Sequence, residues 1–264
     1  MIKRIPFGSA PDGTPVSTFE LSCAGACVRV MDFGATVTGI TLPGKDGTVA
    51  DVLLGFDRLD GYFDNPACYG ATIGPSANRT DKGQVTIDGT VYQMAQNDGP
   101  DRANNLHTDL DHGLHKRVWD SAVDVDTNSV TFTCELADGE LGLPGNRHFT
   151  VSYTLVVGAT GAAELHVEQA CETDADTFVN MTNHSYFNLA GHDSGSVLDH
   201  EVVIDAESYL PQRADNVSSG EIRPVAGTPF DFRAPKPLGL DIDADDEQLE
   251  IARGYDHCFC IDGY

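Results

Sequence analysis

The sequence of 264 residues predicts an all-β protein of antiparallel strands, in the form of a large sandwich or barrel. Three observations lead to this prediction. Several segments alternate apolar and polar residues with a period of two, turns rich in glycine and proline separate them, and no segment carries a long helical stripe. Because no linker, repeat or low-complexity tract divides the chain, we expect a single domain over residues 1–264.

The alternation is clearest in the middle of the chain. Apolar residues recur at every second position in residues 130–136, 151–157 and 163–167, which is typical of strands that bury one face. Asp88-Gly89 separates two shorter alternating runs and predicts a tight hairpin turn. One short helix is predicted over Asp245–Arg253, where the following glycine stops it.

Charge and composition restrict the classes of partner. Forty-one acidic residues against 16 basic ones give a formal net charge of −25, which repels phosphate backbones and anionic membrane surfaces. We therefore expect no nucleic-acid partner and no membrane partner. The N-terminus has no apolar signal segment and the seven cysteines form no CxxC pair, so we expect reduced thiols and a cytoplasmic location.

The segment Phe178–Leu189, FVNMTNHSYFNL, carries the strongest functional signal. In an extended strand, one face of this segment presents Asn180, Thr182, His184, Tyr186 and Asn188. Asparagine has a low propensity for strands, and a row of asparagine, histidine and tyrosine suits a concave site for a ligand with many hydroxyls. The alternative is a polar outer face that contains one histidine, and the segment alone does not decide between the two.

Two further segments contain candidate ligand-binding side chains. In GPSANRTDKG, Asn78 and Arg79 precede the predicted hairpin, and an arginine offers a rigid fork of donors to hydroxyls or a carboxylate. An ordinary surface ion pair is the more common role for such an arginine. In GTPFDFR, the carboxylate of Asp231 lies between two phenylalanines and needs a hydrogen bond or a cation. Asp231 is therefore a candidate for binding a ligand hydroxyl, or else a turn residue that stays in water.

A histidine-rich segment lies between residues 104 and 120. It contains His107, His112 and His115 together with Asp109 and Asp111, which are residue types that bind zinc or iron. The spacing matches no known pattern of metal ligands, and no helix is predicted that would place these side chains on one face. We therefore expect no metal site, and we expect one of these histidines to form hydrogen bonds with a ligand.

Other reaction classes lack their usual sequence marks. The chain contains no Gly-x-Ser-x-Gly elbow, no P-loop and no GxGxxG between a strand and a helix, which disfavours acyl, phosphoryl and hydride transfer. A glycoside hydrolase needs two carboxylates across the scissile bond, and Asp231 is the sole candidate. In RGYDHCFCI, Asp256 and His257 precede an apolar strand, and we expect a structural role for them.

Taken in order, these segments resemble the aldose 1-epimerase family, the galactose mutarotases. The matching pieces are GATVTGITLPGKDG, DVLLGFDRLDGY, YGATIGPSANRTDKGQVTIDGTVYQMAQNDGPDRANNLH, DGELGLPGN, NMTNHSYFNLAG, GTPFDFR and GYDHCF. The resemblance implies an antiparallel β-supersandwich of the galactose mutarotase type, with the sugar in an open groove. It also implies an isomerase of hexose metabolism that interconverts the α and β anomers of free galactose or glucose, with no cofactor and no metal.

The resemblance also assigns roles to residues. Anomer interconversion needs an acid that protonates the ring oxygen and a base that takes the proton of the anomeric hydroxyl. Carried over by motif, His184 is the acid, a role that suits the chemistry of histidine. The residues that the resemblance implies for sugar binding are Asn78, Arg79, His107, Tyr186 and Asp231.

Two features depart from the family pattern. Pro75 stands where the family usually has an arginine, although Arg79 is kept. The family continues after GYDHCF with several strands and a glutamate base, whereas this sequence ends at Tyr264. We therefore expect a domain that lacks its C-terminal strands, and no residue present is assigned as the base. Three interpretations stay open: a fragment of a longer protein, a shortened homologue that binds sugar without catalysis, or a base supplied by an unexpected residue.

Overall fold

The structure is a computed structural model that describes residues 2–261. Over these residues it contains twenty β-strands, two short α-helices and five 3₁₀ helices. The strands are β1 (Lys3–Ser9), β2 (Pro15–Cys23), β3 (Ala26–Met31), β4 (Thr36–Pro43), β5 (Val49–Asp51), β6 (Thr72–Ile73), β7 (Arg79–Thr80), β8 (Gln84–Ile87), β9 (Thr90–Gln93), β10 (Asn105–Leu106), β11 (Asp120–Asp124), β12 (Ser129–Leu136), β13 (Arg147–Val157), β14 (Ala163–Thr173), β15 (Thr182–Asn183), β16 (Glu201–Val202), β17 (Ala206–Leu210), β18 (Arg223–Pro224), β19 (Lys236–Pro237) and β20 (Cys258–Ile261). The helices are α1 (Asp60–Asp64), α2 (Glu247–Ala252) and the 3₁₀ segments Asp81–Gly83, Pro100–Arg102, Leu114–Lys116, Glu140–Gly142 and Leu238–Leu240.

The contacts of the chain group it into two compact units. The first unit consists of the residues up to Asn78, Gly83–Ala95 and Leu106–Ser194. The second unit consists of Arg79–Lys82, Gln96–Asn105 and the residues from Gly195 onward. The expectation of a single domain over residues 1–264 stays a prediction, and each unit is described by itself.

The first unit is an antiparallel sandwich. Strands β1 to β5 form one sheet in chain order, and β11 to β14 form a second sheet in chain order. The apolar faces of the two sheets pack into one core, where the ring of Phe19 on β2 lies edge-on to Phe132 on β12 with centroids 5.7 Å apart. The predicted all-β antiparallel architecture is confirmed here.

The alternating segments explain why this core forms. Strands β12, β13 and β14 cover the three segments in which apolar residues recur at every second position. In β13, Val151 and Tyr153 point into the core and are fully buried. The hairpin of β8 and β9 turns at Asp88-Gly89, and both residues have the positive φ that this turn requires, 49° and 78°.

The prediction of one continuous strand over Phe178–Leu189 is wrong. Within this fully described segment, a ladder forms at β15, which pairs with β6. Isolated bridges join Asn180 to Ser76 and Phe187 to Leu53. The segment therefore bonds in succession to different parts of the chain, and it stays extended without forming one strand. Phe187 is exposed.

The second unit is built around β17, which lies between β18 and β20. Strand β16 pairs with β19, and α2 packs Leu249 into a small apolar core with Tyr209 and Phe230. Asp246 caps α2, because its carboxylate accepts hydrogen bonds from the backbone of Gln248 and Leu249. The helix ends at Arg253 in the left-handed conformation, so the short helix predicted here is confirmed. Over residues 2–261, no helix is long and apolar enough to cross a membrane.

The core of the first unit gives a stability prediction. Phe132 is fully buried against Phe19 and Tyr153. Because Phe132→Ala leaves a cavity, we expect it to lower the free energy of unfolding by about 3–5 kcal/mol. Val125→Ala is the control, since Val125 is exposed, and it should change stability by less than about 0.5 kcal/mol. Urea unfolding followed by circular dichroism measures both, and equal losses would contradict the packing described here.

Candidate active site

His184 is positioned by its backbone. Its N–H donates to the carbonyl of Ala71 at 2.9 Å, and its carbonyl accepts from the N–H of Gly70 at 3.0 Å. Gly70 has a φ of 65°, and a Cβ at this position would lie 1.9 Å from the carbonyl oxygen of Val37. Glycine is therefore required where these two chain segments approach each other. This close approach fixes the position of the Gly70–Ala71 backbone, to which His184 is hydrogen-bonded.

A polar network in the first unit supports Asn183, the residue before His184. The amide nitrogen of Asn183 donates to the carbonyl of Gly70 at 3.0 Å and to the hydroxyl of Tyr153 at 3.3 Å. Tyr153 in turn donates to the carbonyl of Ala35 at 2.7 Å. Burial raises the pKa of Tyr153 to about 12, so its hydroxyl keeps its proton. A buried network with satisfied partners favours one arrangement of the chain.

Two aromatic rings contact the imidazole of His184, and a third ring contacts one of these two. The ring of His107 lies edge-on to His184 with centroids 5.3 Å apart, and the ring of Tyr186 is tilted against His184 with centroids 5.2 Å apart. Tyr69 contacts Tyr186 edge-on at 5.1 Å. Tyr186 is 40% exposed, so the row of rings reaches the surface of the first unit.

Two hydrogen bonds with the backbone of Asn78 hold His107, one through its ring and one through its own N–H. The N–H of Asn78 donates to Nδ1 of His107 at 3.1 Å, and the N–H of His107 donates to the carbonyl of Asn78 at 3.1 Å. Both residues have positive φ, 61° and 56°. Because Nδ1 accepts a hydrogen bond, the ring proton lies on Nε2, which makes Nε2 a donor.

Arg79 belongs to the second unit and is paired with acids there. Its Nε donates to Oδ2 of Asp98 at 2.7 Å, and its Nη1 lies 3.8 Å from Asp256. Asp256 is thus a charge partner of Arg79. His257 has the structural role expected for it, since its ring packs against Phe230 with centroids 4.5 Å apart.

Asp231 also belongs to the second unit. Phe230 and Phe232 on either side of it are buried, whereas the Asp231 carboxylate is partly exposed and accepts two hydrogen bonds from Arg233, at 2.9 and 2.8 Å. The Arg233 guanidinium lowers the pKa of Asp231 to about 2, so the carboxylate is ionised at neutral pH. Arg233 also donates to Glu207 at 2.6 Å. The cation that this aspartate was expected to need is therefore Arg233.

The three histidines of the segment 104–120 lie in different environments. His107 contacts His184, His112 is exposed beside Asp109 at 3.3 Å, and His115 is buried with 4% of its surface accessible. Across the part of the chain that the structure describes, no group of three or more His, Cys, Asp or Glu side chains could hold a metal ion.

The structure thus brings His184, His107 and Tyr186 together in the first unit, with Asn78 bound to His107. Arg79 and Asp231 lie in the second unit, where Arg79 is paired with acidic side chains and Asp231 is paired with Arg233. Sequence reasoning missed Tyr69, Asp98 and Asn183. Asn183 belongs to the motif around His184 and could have been found as its neighbour, whereas nothing local pairs Asp98 with an arginine 19 residues away.

Comparisons with known proteins agree with the sequence and the fold. The sequence model of the family described as aldose 1-epimerase matches residues 17–263. The galactose mutarotase of Bos taurus is 39% identical over 263 residues, which are 99% of this chain and 72% of that protein. The aldose 1-epimerase of Escherichia coli K12 is 37% identical over 253 residues, which are 96% of this chain and 70% of that protein.

A solved structure has the same fold. The crystal structure of galactose 1-epimerase from Lactobacillus acidophilus matches this chain with a TM-score of 0.84 and 27% identity, over 100% of this chain and 75% of the other. A homologue from C. elegans matches with a TM-score of 0.77 and 29% identity, over 88% of this chain and 68% of the other. The chain thus has the β-sandwich fold of these epimerases. This chain belongs to the aldose 1-epimerase family, and the predicted isomerase class is confirmed.

The buried histidine of this region gives a pH prediction. Burial, with a smaller effect of Lys116, lowers the pKa of His115 to about 4 from its ordinary value of 6.5. Between these values the unfolded chain binds more protons than the folded chain, so the free energy of unfolding falls as the pH falls from 6.5 towards 4. We expect this single group to account for a loss of up to about 3 kcal/mol.

Urea unfolding between pH 4 and pH 7 measures this effect. The dependence on pH should be weaker in His115→Phe and His115→Gln than in the parent chain, because neither variant titrates in this range. Identical pH dependence in all three proteins would contradict the prediction, because it would show that the pKa of His115 is the same in the folded and the unfolded chain.

Proposed function

We propose that this protein is an aldose 1-epimerase that interconverts the α and β anomers of a free hexose, galactose or glucose. Membership of the family supports the reaction type. The observation that carries the proposal is the cluster of His184, His107 and Tyr186, which stands on a backbone fixed by close contacts. Relatives named galactose mutarotase and aldose 1-epimerase support a hexose as the substrate.

The reaction is a reversible opening of the sugar ring. The acid protonates the ring oxygen while a base removes the proton of the anomeric hydroxyl, and the bond between C1 and the ring oxygen breaks. The open aldehyde turns about the C1–C2 bond, and the ring closes on the opposite carbonyl face with the two proton transfers reversed. We assign the acid role to His184, because an imidazole gives up and regains a proton near neutral pH.

His107 and Tyr186 would bind the sugar beside His184. The Nε2 proton of His107 makes this nitrogen a hydrogen-bond donor, which suits a sugar oxygen. Tyr186 offers both an exposed ring and a hydroxyl. Asn78 contributes through its backbone, since its N–H sets which nitrogen of His107 carries the proton.

Arg79 and Asp231 are the proposed binding residues of the second unit. Arg79 supplies donors in a fixed plane, and the ionised Asp231 carboxylate supplies acceptors, so the two together match hydroxyls that both donate and accept. The base that takes the anomeric proton is a separate group, and none of these residues is assigned to it.

We also propose a cytoplasmic location. Over residues 2–261, the free thiols include Cys23, Cys27, Cys68, Cys134, Cys171 and Cys260. Free thiols persist in reducing compartments and are oxidised in most secreted proteins, so these thiols favour the cytoplasm.

Polarimetry on freshly dissolved α-galactose tests the proposed function. The parent chain should accelerate the approach to anomeric equilibrium above the rate in buffer. His184→Ala should lose about 100-fold or more of kcat, which is the usual contribution of a general acid. Arg79→Ala should mainly raise KM, because Arg79 is assigned to binding.

His112→Ala is the matched control, because His112 is an exposed histidine of the first unit and contacts Asp109 instead of the ring cluster. It should leave both kcat and KM unchanged. Full activity of His184→Ala would overturn the acid assignment. A parent chain that is no faster than buffer, but that binds galactose in calorimetry, would favour a sugar-binding protein on the same fold.

A further inference from the structure

We propose that Asp98 is a positioning and specificity-determining residue for Arg79. Its carboxylate fixes the plane of the guanidinium and offsets its charge, so that the arginine is suited to the hydroxyls of a neutral sugar and disfavours an anionic one such as a uronic acid. This inference rests on the proposed role of Arg79 in sugar binding.

The contact between Asp98 and Arg79 is short and largely shielded from water. Nε of Arg79 donates to Oδ2 of Asp98 at 2.7 Å, and the two side chains are 19% and 23% exposed. A charge-assisted hydrogen bond in such surroundings is stronger than an exposed ion pair. Because the guanidinium is planar, a bond at Nε also fixes the plane in which both Nη atoms lie.

Asp98 is itself held in place within the second unit. Its N–H donates to the carbonyl of Asn104 at 3.1 Å, and the N–H of Asn104 donates back to the carbonyl of Asp98 at 2.9 Å. Asn104 is buried, and its side chain accepts from the N–H of Lys82 at 3.1 Å and donates to Asp215 at 2.9 Å. The loop that carries Asp98 is therefore fastened to the segment that carries Arg79, so this carboxylate is not a mobile surface counter-ion.

The charges around Arg79 argue for a neutral ligand. Nη1 of Arg79 lies 3.8 Å from Asp256 in addition to the contact of Nε with Asp98, so one guanidinium faces two carboxylates. A sugar hydroxyl carries no net charge and can accept from the arginine without meeting repulsion. A carboxylate on the sugar would lie close to Asp98 and Asp256, and like charges at short range repel each other.

Two substitutions separate positioning from charge. Asp98→Asn keeps an oxygen that accepts from Nε of Arg79 but removes the negative charge, whereas Asp98→Ala removes both. Asp98→Ala should raise KM for galactose about tenfold, as expected for the loss of a hydrogen bond to a charged group, with kcat changed less than about twofold. Asp98→Asn should keep KM for galactose within about threefold of the parent value.

The specificity readout compares galacturonate with galactose, since the two sugars differ by a carboxylate. Asp98→Asn should raise the ratio of kcat/KM for galacturonate to that for galactose about fivefold or more, because one repelling charge is gone. Added salt should shrink this gain, since it screens charges. Asp101→Asn is the matched control: it removes the same charge from an exposed residue of the same loop, and it should leave KM and the ratio unchanged.

The outcomes distinguish this inference from the function on which it rests. If Arg79→Ala raises KM for galactose while Asp98→Ala leaves it within about twofold, the role of Asp98 is wrong and that of Arg79 stands. If Asp98→Asn and Asp101→Asn change the galacturonate ratio equally, the specificity role is wrong. If Arg79→Ala leaves KM unchanged, both the binding role of Arg79 and the role built on it are overturned. Asp98→Ala should add nothing to KM in the Arg79→Ala background.

Discussion

The arrangement around His184 depends on the close approach of Gly70 to Val37 and to His184. A Cβ at residue 70 would collide with the carbonyl oxygen of Val37. The segments that carry Gly70 and Val37 can approach this closely because residue 70 is a glycine. The carbonyl of Gly70 also accepts a hydrogen bond from the side-chain amide of Asn183, which donates a second one to the hydroxyl of Tyr153 in the core of the sandwich. The packing of the first unit and the position of the proposed acid are therefore set by one connected group of contacts.

In this acidic chain, three arginines of the second unit have two acidic partners each. Arg79, Arg213 and Arg233 each lie between two acidic side chains in the second unit. Two neighbouring carboxylates offset the positive charge of a guanidinium, whereas its N–H donors keep their fixed directions. The acidic composition by itself says little about activity. Around Arg79, the arginine that we propose for sugar binding, the acidic side chains favour contacts to uncharged hydroxyls.

Much of the fold could be predicted because the burial of one strand face leaves a local trace. The alternation in β12 and β13 reports a buried face directly, and the turn at Asp88-Gly89 reports a backbone requirement. The segment Phe178–Leu189 could not be predicted in the same way, because its hydrogen bonds go to distant parts of the chain and alternation does not reveal partners. The motif around His184 indicated the candidate site, whereas the contact of Asp98 with Arg79 appears only in three dimensions.

The amide nitrogen of Asn183 has a consequence for production of the protein. Asn183, His184 and Ser185 form a glycosylation sequon, and an N-linked glycan would attach to the same nitrogen that donates to Gly70 and Tyr153. A glycan added to this nitrogen before folding would prevent Asn183 from donating both of these hydrogen bonds. A host that exports the chain through its endoplasmic reticulum would therefore yield misfolded material, whereas expression without export would spare this asparagine.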